Sequence, residues 1–238
     1  DPVLILAERE KVIKKLPADV TNLADLPAGA KPRDAMWANW CQPLCSFSYN
    51  TQSLPKGLDS YAEAWDPKFK ERIIIISMRI TQAIAPLLAA THYVTKKPLD
   101  QCMPDWQQGI ERMKQLKPNI IQVSTNAPQA QQLLETGERD LYMAPDSRTT
   151  LQRKSKGAPV DQGKPKEGIL AMPAGIALVE GGPNQDIGIQ FLNEMLNPDI
   201  QAYIAKTFFS KPTNTKTVLP ADLSFPELVA LDWEYFAD

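Results

Sequence analysis

The sequence predicts an α/β protein built as two lobes. Three observations carry that expectation. Ile73-Ile-Ile-Ile is a β-branched run too short for a helix, and it reads as a strand buried on both faces, as in parallel sheets. From there to residue 157 the segments alternate strand, helix, helix, strand, helix, strand, helix, the order that builds a parallel sheet through crossover connections. The pieces on either side, 1–70 and 172–210, have apolar segments of their own and must build a second body together. The expected division is 1–71 with 172–212 for lobe one and 72–171 for lobe two, with 213–238 left unassigned.

Element by element, Val3 to Leu6 reads as a short buried strand and 7–15 as a helix with Val12, Ile13 and Leu16 on one side. Residues 16–33 are proline-rich and irregular, pinned to a core by Leu23 and Leu26. Trp37 to Asn50 is aromatic and apolar and suits a strand. Ser60 to Trp65 is a short helix capped by Asp59 or Ser60. After the isoleucine strand, a helix is expected from Ser77 to about Tyr93 and another from Asp105 to Leu116, stopped by Lys117-Pro118. Asn119–Val123 is the next strand, Ser124-Thr-Asn a turn, and Pro128–Glu135 a helix closed by Gly137. Asp140–Met143 is a strand, and Asp146 or Ser147 caps the helix that runs to Lys156. Ile169 to Val179 is extended and broken by Pro173. Helices follow at 186–196 and 199–208, and the tail holds a last apolar stretch, Leu228 to Phe236.

Composition narrows the function classes. The 238 residues are 43% hydrophobic and 23% charged, ordinary for a globular protein and sufficient for a real core. With 26 basic and 28 acidic side chains the net charge is -2, which favours neither nucleic acid nor an anionic membrane surface. Apolar runs such as Ile73–Ile76 fall far short of the ~20 residues that cross a bilayer. A single histidine, His92, with Cys41, Cys45 and Cys102, offers no CxxC pair and no usual zinc set. The cysteines read as buried small hydrophobes, and a bridge from Cys102 to either of the others stays open. No GxSxG, GxxxxGK or HExxH pattern occurs, so no enzyme is expected. An enzyme on a similar two-lobe scaffold and the ligand-sensing domain of a regulator stand as alternatives.

Four stretches then point to a family. Leu58-Asp-Ser-Tyr-Ala-Glu-Ala-Trp-Asp-Pro-Lys-Phe-Lys-Glu-Arg-Ile resembles the "SWxDLWDPxYKGRI" passage of periplasmic solute-binding proteins of ABC importers, the branch that includes the spermidine/putrescine-binding proteins. Leu134-Glu-Thr-Gly-Glu-Arg-Asp-Leu resembles its "GEVDL" turn into a strand. Gly157-Ala-Pro-Val with Pro165-Lys-Glu-Gly resembles its "GxPV…PKEG" approach to the return strand. Pro183-Asn through Asn197-Pro-Asp-Ile-Gln resembles "APNKEAAxxFINxxLxPEVQ". Their order over residues 58–201 is that of the family. Asp1-Pro-Val-Leu resembles a later strand of the family's first lobe, which implies that lobe one is incomplete here.

The resemblance implies a type II periplasmic-binding-protein architecture, a monomer in the periplasm with its signal peptide removed, no cofactor and no metal. Its partners would be a small-molecule solute, held in a cleft between the lobes, and a membrane permease, without nucleic acid and without insertion into the membrane. Carried over by position, the ligand candidates are Trp37 and Trp40, Ser77 and Arg79 after the isoleucine strand, Thr125 and Asn126 in the serine turn, Asp146 and Ser147 after the third strand, and Met172 on the return strand. Polyamine binding needs carboxylates and aromatic faces. Arg79 and Met172 stand where the polyamine branch has such groups, so the expected ligand is a small organic anion, which a guanidinium binds in a bidentate way.

Overall fold

The computed structural model describes residues 2–236, and the chain divides into two compact units. Unit 1 comprises residues 1–43, 172–225 and 232–238, and unit 2 comprises 44–171 and 226–231. The return passage therefore falls at 171/172, but the first passage lies at 43/44, not at 71/72. The reason is pairing. The predicted strand Trp37–Asn50 is two strands separated by Pro43, β2 (Ala38–Gln42) and β3 (Leu44–Asn50), and they belong to different sheets.

The chain opens in unit 1 with α1 (Pro2–Arg9), a helix where a strand was expected. A run of consecutive apolar residues carries no period to separate the two, and Pro2, which has no N–H to donate, suits a first helical turn. Ile5 faces the core while Val3 and Leu6 are exposed. The helix stops at Arg9, well before residue 15. Lys11 takes a left-handed conformation (φ 56°) and turns the chain into β1 (Ile13–Lys14). Next comes α2 (Pro32–Ala35), a short turn with Arg33, Asp34 and Ala35 all at positive φ. Trp37 packs with Ile5 and Ile13 in one core cluster. Leu16, Val20, Leu26 and Ala38 form another with Leu178, Leu192 and Leu196.

Unit 2 is built around β3, β4 (Ile73–Ile76), β5 (Ile120–Ser124), β6 (Leu141–Asp146), β7 (Val160–Gln162) and β8 (Ile169–Ala171). Between them run α3 (Ile84–Thr95), α4 (Trp106–Gln115), α5 (Ala127–Glu135) and α6 (Ser147–Ser155). The expected helix from Ser77 begins later, because Ser77–Ile80 closes a turn (Ile80 N–H to Ser77 O, 2.9 Å) and a short 3-10 segment, Thr81–Ala83, precedes α3. The last strand, β12 (Leu228–Val229), completes a sheet in the order β12-β8-β3-β6-β4-β5, with β7 also on β3. Within it β6, β4 and β5 run parallel, and all four β4 isoleucines are buried. Full burial of such a side chain is worth roughly 1.5–3 kcal/mol, so β4 anchors the sheet.

Local chemistry sets the connections in unit 2. Ser60 and Glu63 form a reciprocal capping box at the 3-10 helix Tyr61–Trp65, settling the alternative between Asp59 and Ser60. Gly137 sits at φ +75° after α5, the left-handed position its residue type predicts. Returning to unit 1, β9 (Ala174–Ile176) pairs with β2, β10 (Leu178–Val179) pairs with β1, and α7 (Gln185–Met195) and α8 (Pro198–Phe208) lead to β11 (Lys211–Pro212) on β2. The tail is mostly irregular, with β12 as its only strand among the described residues. All three cysteines are buried and unbridged, and His92 is held on α3 by a contact of 2.7 Å from Nδ1 to the Lys97 carbonyl.

Candidate functional site

The parallel strands β6, β4 and β5 deliver their carboxyl ends to one edge of the unit 2 sheet. From β4 the chain moves outward to β5; from β6 it moves the other way, through α6 to β7 beside β3. β4 and β6 therefore flank the switch point of the sheet, where the connections diverge and where open α/β sheets generally receive their ligands.

Three short segments meet at this edge. Ile76 is in register with Ser124, and the Ser77 N–H donates to the Ser124 carbonyl at 2.8 Å, which joins the β4 and β5 ends. Ser77 is buried, whereas Met78 and Arg79 are exposed. The Arg79 backbone N–H reaches Ser77 Oγ at 3.4 Å, and its guanidinium has no hydrogen-bond or ion-pair partner among the described residues. Arg79 thus projects from a turn, not from the helix start its sequence suggested.

On β5, Ser124 Oγ accepts the Asn126 N–H at 3.1 Å and donates to the Asn126 carbonyl at 2.9 Å. That clamp leaves Thr125 and Asn126 exposed at the start of α5, where Asn126 Oδ1 caps the helix by accepting the Gln129 N–H at 3.1 Å.

At the end of β6 stands Asp146. Its Oδ1 accepts the Arg148 N–H at 2.8 Å, capping α6, and its Oδ2 accepts the Arg148 Nε–H at the same distance. The carboxylate is thereby neutralised by its own helix. Ser147 is wholly buried, and its Oγ accepts the Leu44 N–H at 3.1 Å, tying α6 to the start of β3.

The remaining candidates lie in unit 1. Trp37 is 1% exposed, with an indole N–H that finds no partner among the described residues. Trp40 is half-buried against the cluster of Leu16, Val20 and Leu178. Met172 is buried, its N–H donating to the Pro43 carbonyl at 3.0 Å beside the return passage. The edge of unit 2 therefore gathers Ser77, Arg79, Thr125, Asn126, Asp146 and Ser147, while Trp37, Trp40 and Met172 belong to the packing of the other unit.

Two residues at this edge carried no expectation. Arg148, which occupies Asp146, was signalled only by the spacing Asp146-Ser-Arg. Ala144 adopts a left-handed conformation (φ 66°) in a bulge, where Cys45 pairs with Asp146 but Phe47 pairs with Met143. No sequence signal marks an alanine for that conformation. Directly below, Cys45 Sγ lies 3.9 Å from the Ala144 carbonyl and 3.8 Å from that of Gln82. Burial, with the nearby Asp146 charge, pushes its thiol far above the ordinary range, which keeps it protonated and unreactive.

Two α/β units linked by repeated chain passages, one carrying a mixed sheet in which β6, β4 and β5 run parallel and β3 runs antiparallel to them, where the sequence predicted a parallel sheet, have the fold of type II periplasmic binding proteins. An ABC transporter substrate-binding protein from Bradyrhizobium japonicum superposes with a TM-score of 0.81 at 20% identity, covering 100% of this chain and 76% of that one. The periplasmic binding protein AfuA from Actinobacillus pleuropneumoniae, with exogenous fructose-6-phosphate bound, gives 0.75 at 19% identity, covering 97% and 73%. The bacterial extracellular solute-binding protein family matches residues 1–231, and the chain belongs to that family. The spermidine/putrescine-binding periplasmic protein of Escherichia coli (strain K12) is 24% identical over 155 residues, 64% of this chain. The chain spans 42% of that relative's length. No helix among the described residues is long and apolar enough to cross a membrane.

Proposed function

We propose that the chain is the substrate-binding component of an ABC importer, working in the periplasm, and that its solute is a small organic anion which it delivers to a membrane permease. No bond is made or broken; capture and release are the whole activity. The single observation behind the choice of ligand is the charge arrangement at the β4–β6 edge. Arg79 presents a free guanidinium there, whereas the one carboxylate among the candidates, Asp146, is engaged by Arg148. A guanidinium beside the Ser77 and Ser124–Asn126 turns suits a carboxylate or phosphate, which takes two parallel N–H bonds. AfuA, a neighbour in fold, is a structure with a sugar phosphate bound, so this scaffold is compatible with an anionic solute.

A polyamine is the second reading, favoured by the names of curated relatives, which are spermidine/putrescine-binding periplasmic proteins. An exposed arginine repels polycations, and no free carboxylate stands among the edge candidates to offset it. The test is mass spectrometry of the small molecules released when freshly purified protein is denatured. A carboxylate, phosphate or sulfonate in stoichiometric amount supports the proposal. Release of putrescine or spermidine refutes the anion.

A further inference from the structure

We propose that the C-terminal segment is a latched strap: residues 226–231 dock on unit 2 as an edge strand, and Arg33 holds the turn that follows against unit 1, so that the segment can be released while both units stay folded.

The segment changes unit at 225/226 and again at 231/232. Its hold on unit 2 is slight. β12 is two residues long, Leu228 and Val229, paired in parallel with Ile169 and Leu170 of β8 at the sheet edge, and Leu231 is buried beside it. Val229 packs over Gly168, where a side chain would place a Cβ 2.5 Å from Val229 Cγ2.

The hold on unit 1 is a three-way ion cluster. Arg33 Nε donates to Glu234 Oε1 at 3.0 Å, and the same guanidinium pairs with Glu234 Oε2. From its other side Nη1 donates to Glu8 Oε2 of α1 at 2.6 Å. Trp233, one residue earlier, packs against the Ile5, Ile13 and Trp37 cluster. Arg33 is thus a bridge between α1 and the chain's end, and it sits in the left-handed α2 turn beside Asp34 and Ala35. Such backbone in non-glycine residues persists only where the surroundings hold it. Here the holders are the Arg33 cluster and the Lys15–Asp34 pair. A segment secured by a two-residue ladder, the seats of Leu231 and Trp233 and one partly exposed charge cluster has far fewer holds than the sheet it is attached to, and opens before it. The cluster is also open to screening by salt.

Hydrogen exchange read by mass spectrometry tests this with Glu234→Gln and Arg33→Gly. The first leaves the α2 turn untouched, and the second keeps its backbone conformation accessible. In both, amides of 228–235 are expected to exchange about fivefold faster or more, with β4–β6 unchanged. Raising salt to about 1 M should speed the same amides in the unaltered protein and add little in the variants. Unchanged exchange in 228–235 in both variants overturns the latch. So does acceleration that spreads equally through β4–β6, because the cluster would then support overall stability and not the strap.

Discussion

At the scale of single residues, several side chains trade local strain or desolvation against a fixed position. Asp34 is the plainest case. It is exposed, it lies at φ 56°, and its carboxylate pairs with the exposed Lys15. Left-handed backbone costs a residue with a Cβ roughly 1–2 kcal/mol, and an exposed ion pair returns about 0–1. Asp34→Gly should therefore stabilise unit 1 by about 1 kcal/mol, read as an upward shift of a few degrees in its calorimetric transition. Cys45 has the opposite character, a thiol held protonated by burial. The folded state binds that proton more tightly than the unfolded chain, so its contribution is complete below the ordinary thiol range and is lost as pH rises above about 8.5. Denaturant titrations from pH 8 to pH 10.5 should show stability falling, by up to about 1.4 kcal/mol per pH unit from this group. Cys45→Ala should flatten that fall. Tyr61 and Tyr142, also raised by burial, add to it only at still higher pH.

At the scale of elements, what could be read in advance depended on how local the determinants were. The isoleucine run of β4 is strand from its own composition, and α4, α5, α7 and α8 follow from period, capping residues and proline stops. Asp146 caps α6, one of the two caps its sequence offered, while Asn126, expected only as part of a turn, also caps α5. The failures are long-range. Whether Val3–Leu6 is strand or helix is decided by what Ile5 packs against, not by the four residues themselves. That β3 belongs to unit 2 is decided by partners about a hundred residues away, Leu141 to Asp146, which no local pattern encodes. The site divides in the same way: Ser77, Arg79 and the Ser124–Asn126 turn lie at one sheet edge, as a parallel topology requires, but the engagement of Asp146 by Arg148 and the burial of Trp37 became visible only in three dimensions. Packing between α3 and α4 gives a sharp test at this scale. A Cβ on Gly109 would lie 2.3 Å from Thr91 Oγ1, 2.9 Å from the Thr91 nitrogen and 3.0 Å from the Leu87 carbonyl. Gly109→Ala, despite its better helix propensity, should destabilise unit 2 by about 1–3 kcal/mol in chemical denaturation, because backbone must move to admit the methyl group.

At the scale of the whole molecule, the chain passes between two units several times, and it places the carboxyl ends of three parallel strands together on the second of them. For the proposed capture, that edge offers hydrogen-bonding turns, a helix start and the guanidinium of Arg79. The thiol nearest to it is kept protonated. Binding to the folded state alone raises stability by about 2.7 kcal/mol when ligand is present at a hundred times its dissociation constant, so capture is visible as a thermal shift. Anion capture through Arg79 is tested by a thermal-shift and calorimetric comparison of the unaltered protein with Arg79→Ala, across small carboxylates, phosphates, sulfonates and diamines. At least one anion should stabilise the unaltered protein and diamines should not, and Arg79→Ala should keep its ligand-free melting temperature while losing about tenfold or more in affinity for that anion, the worth of a hydrogen-bonded charge. Stabilisation by putrescine or spermidine, or anion affinity that survives the loss of Arg79, would contradict capture through Arg79.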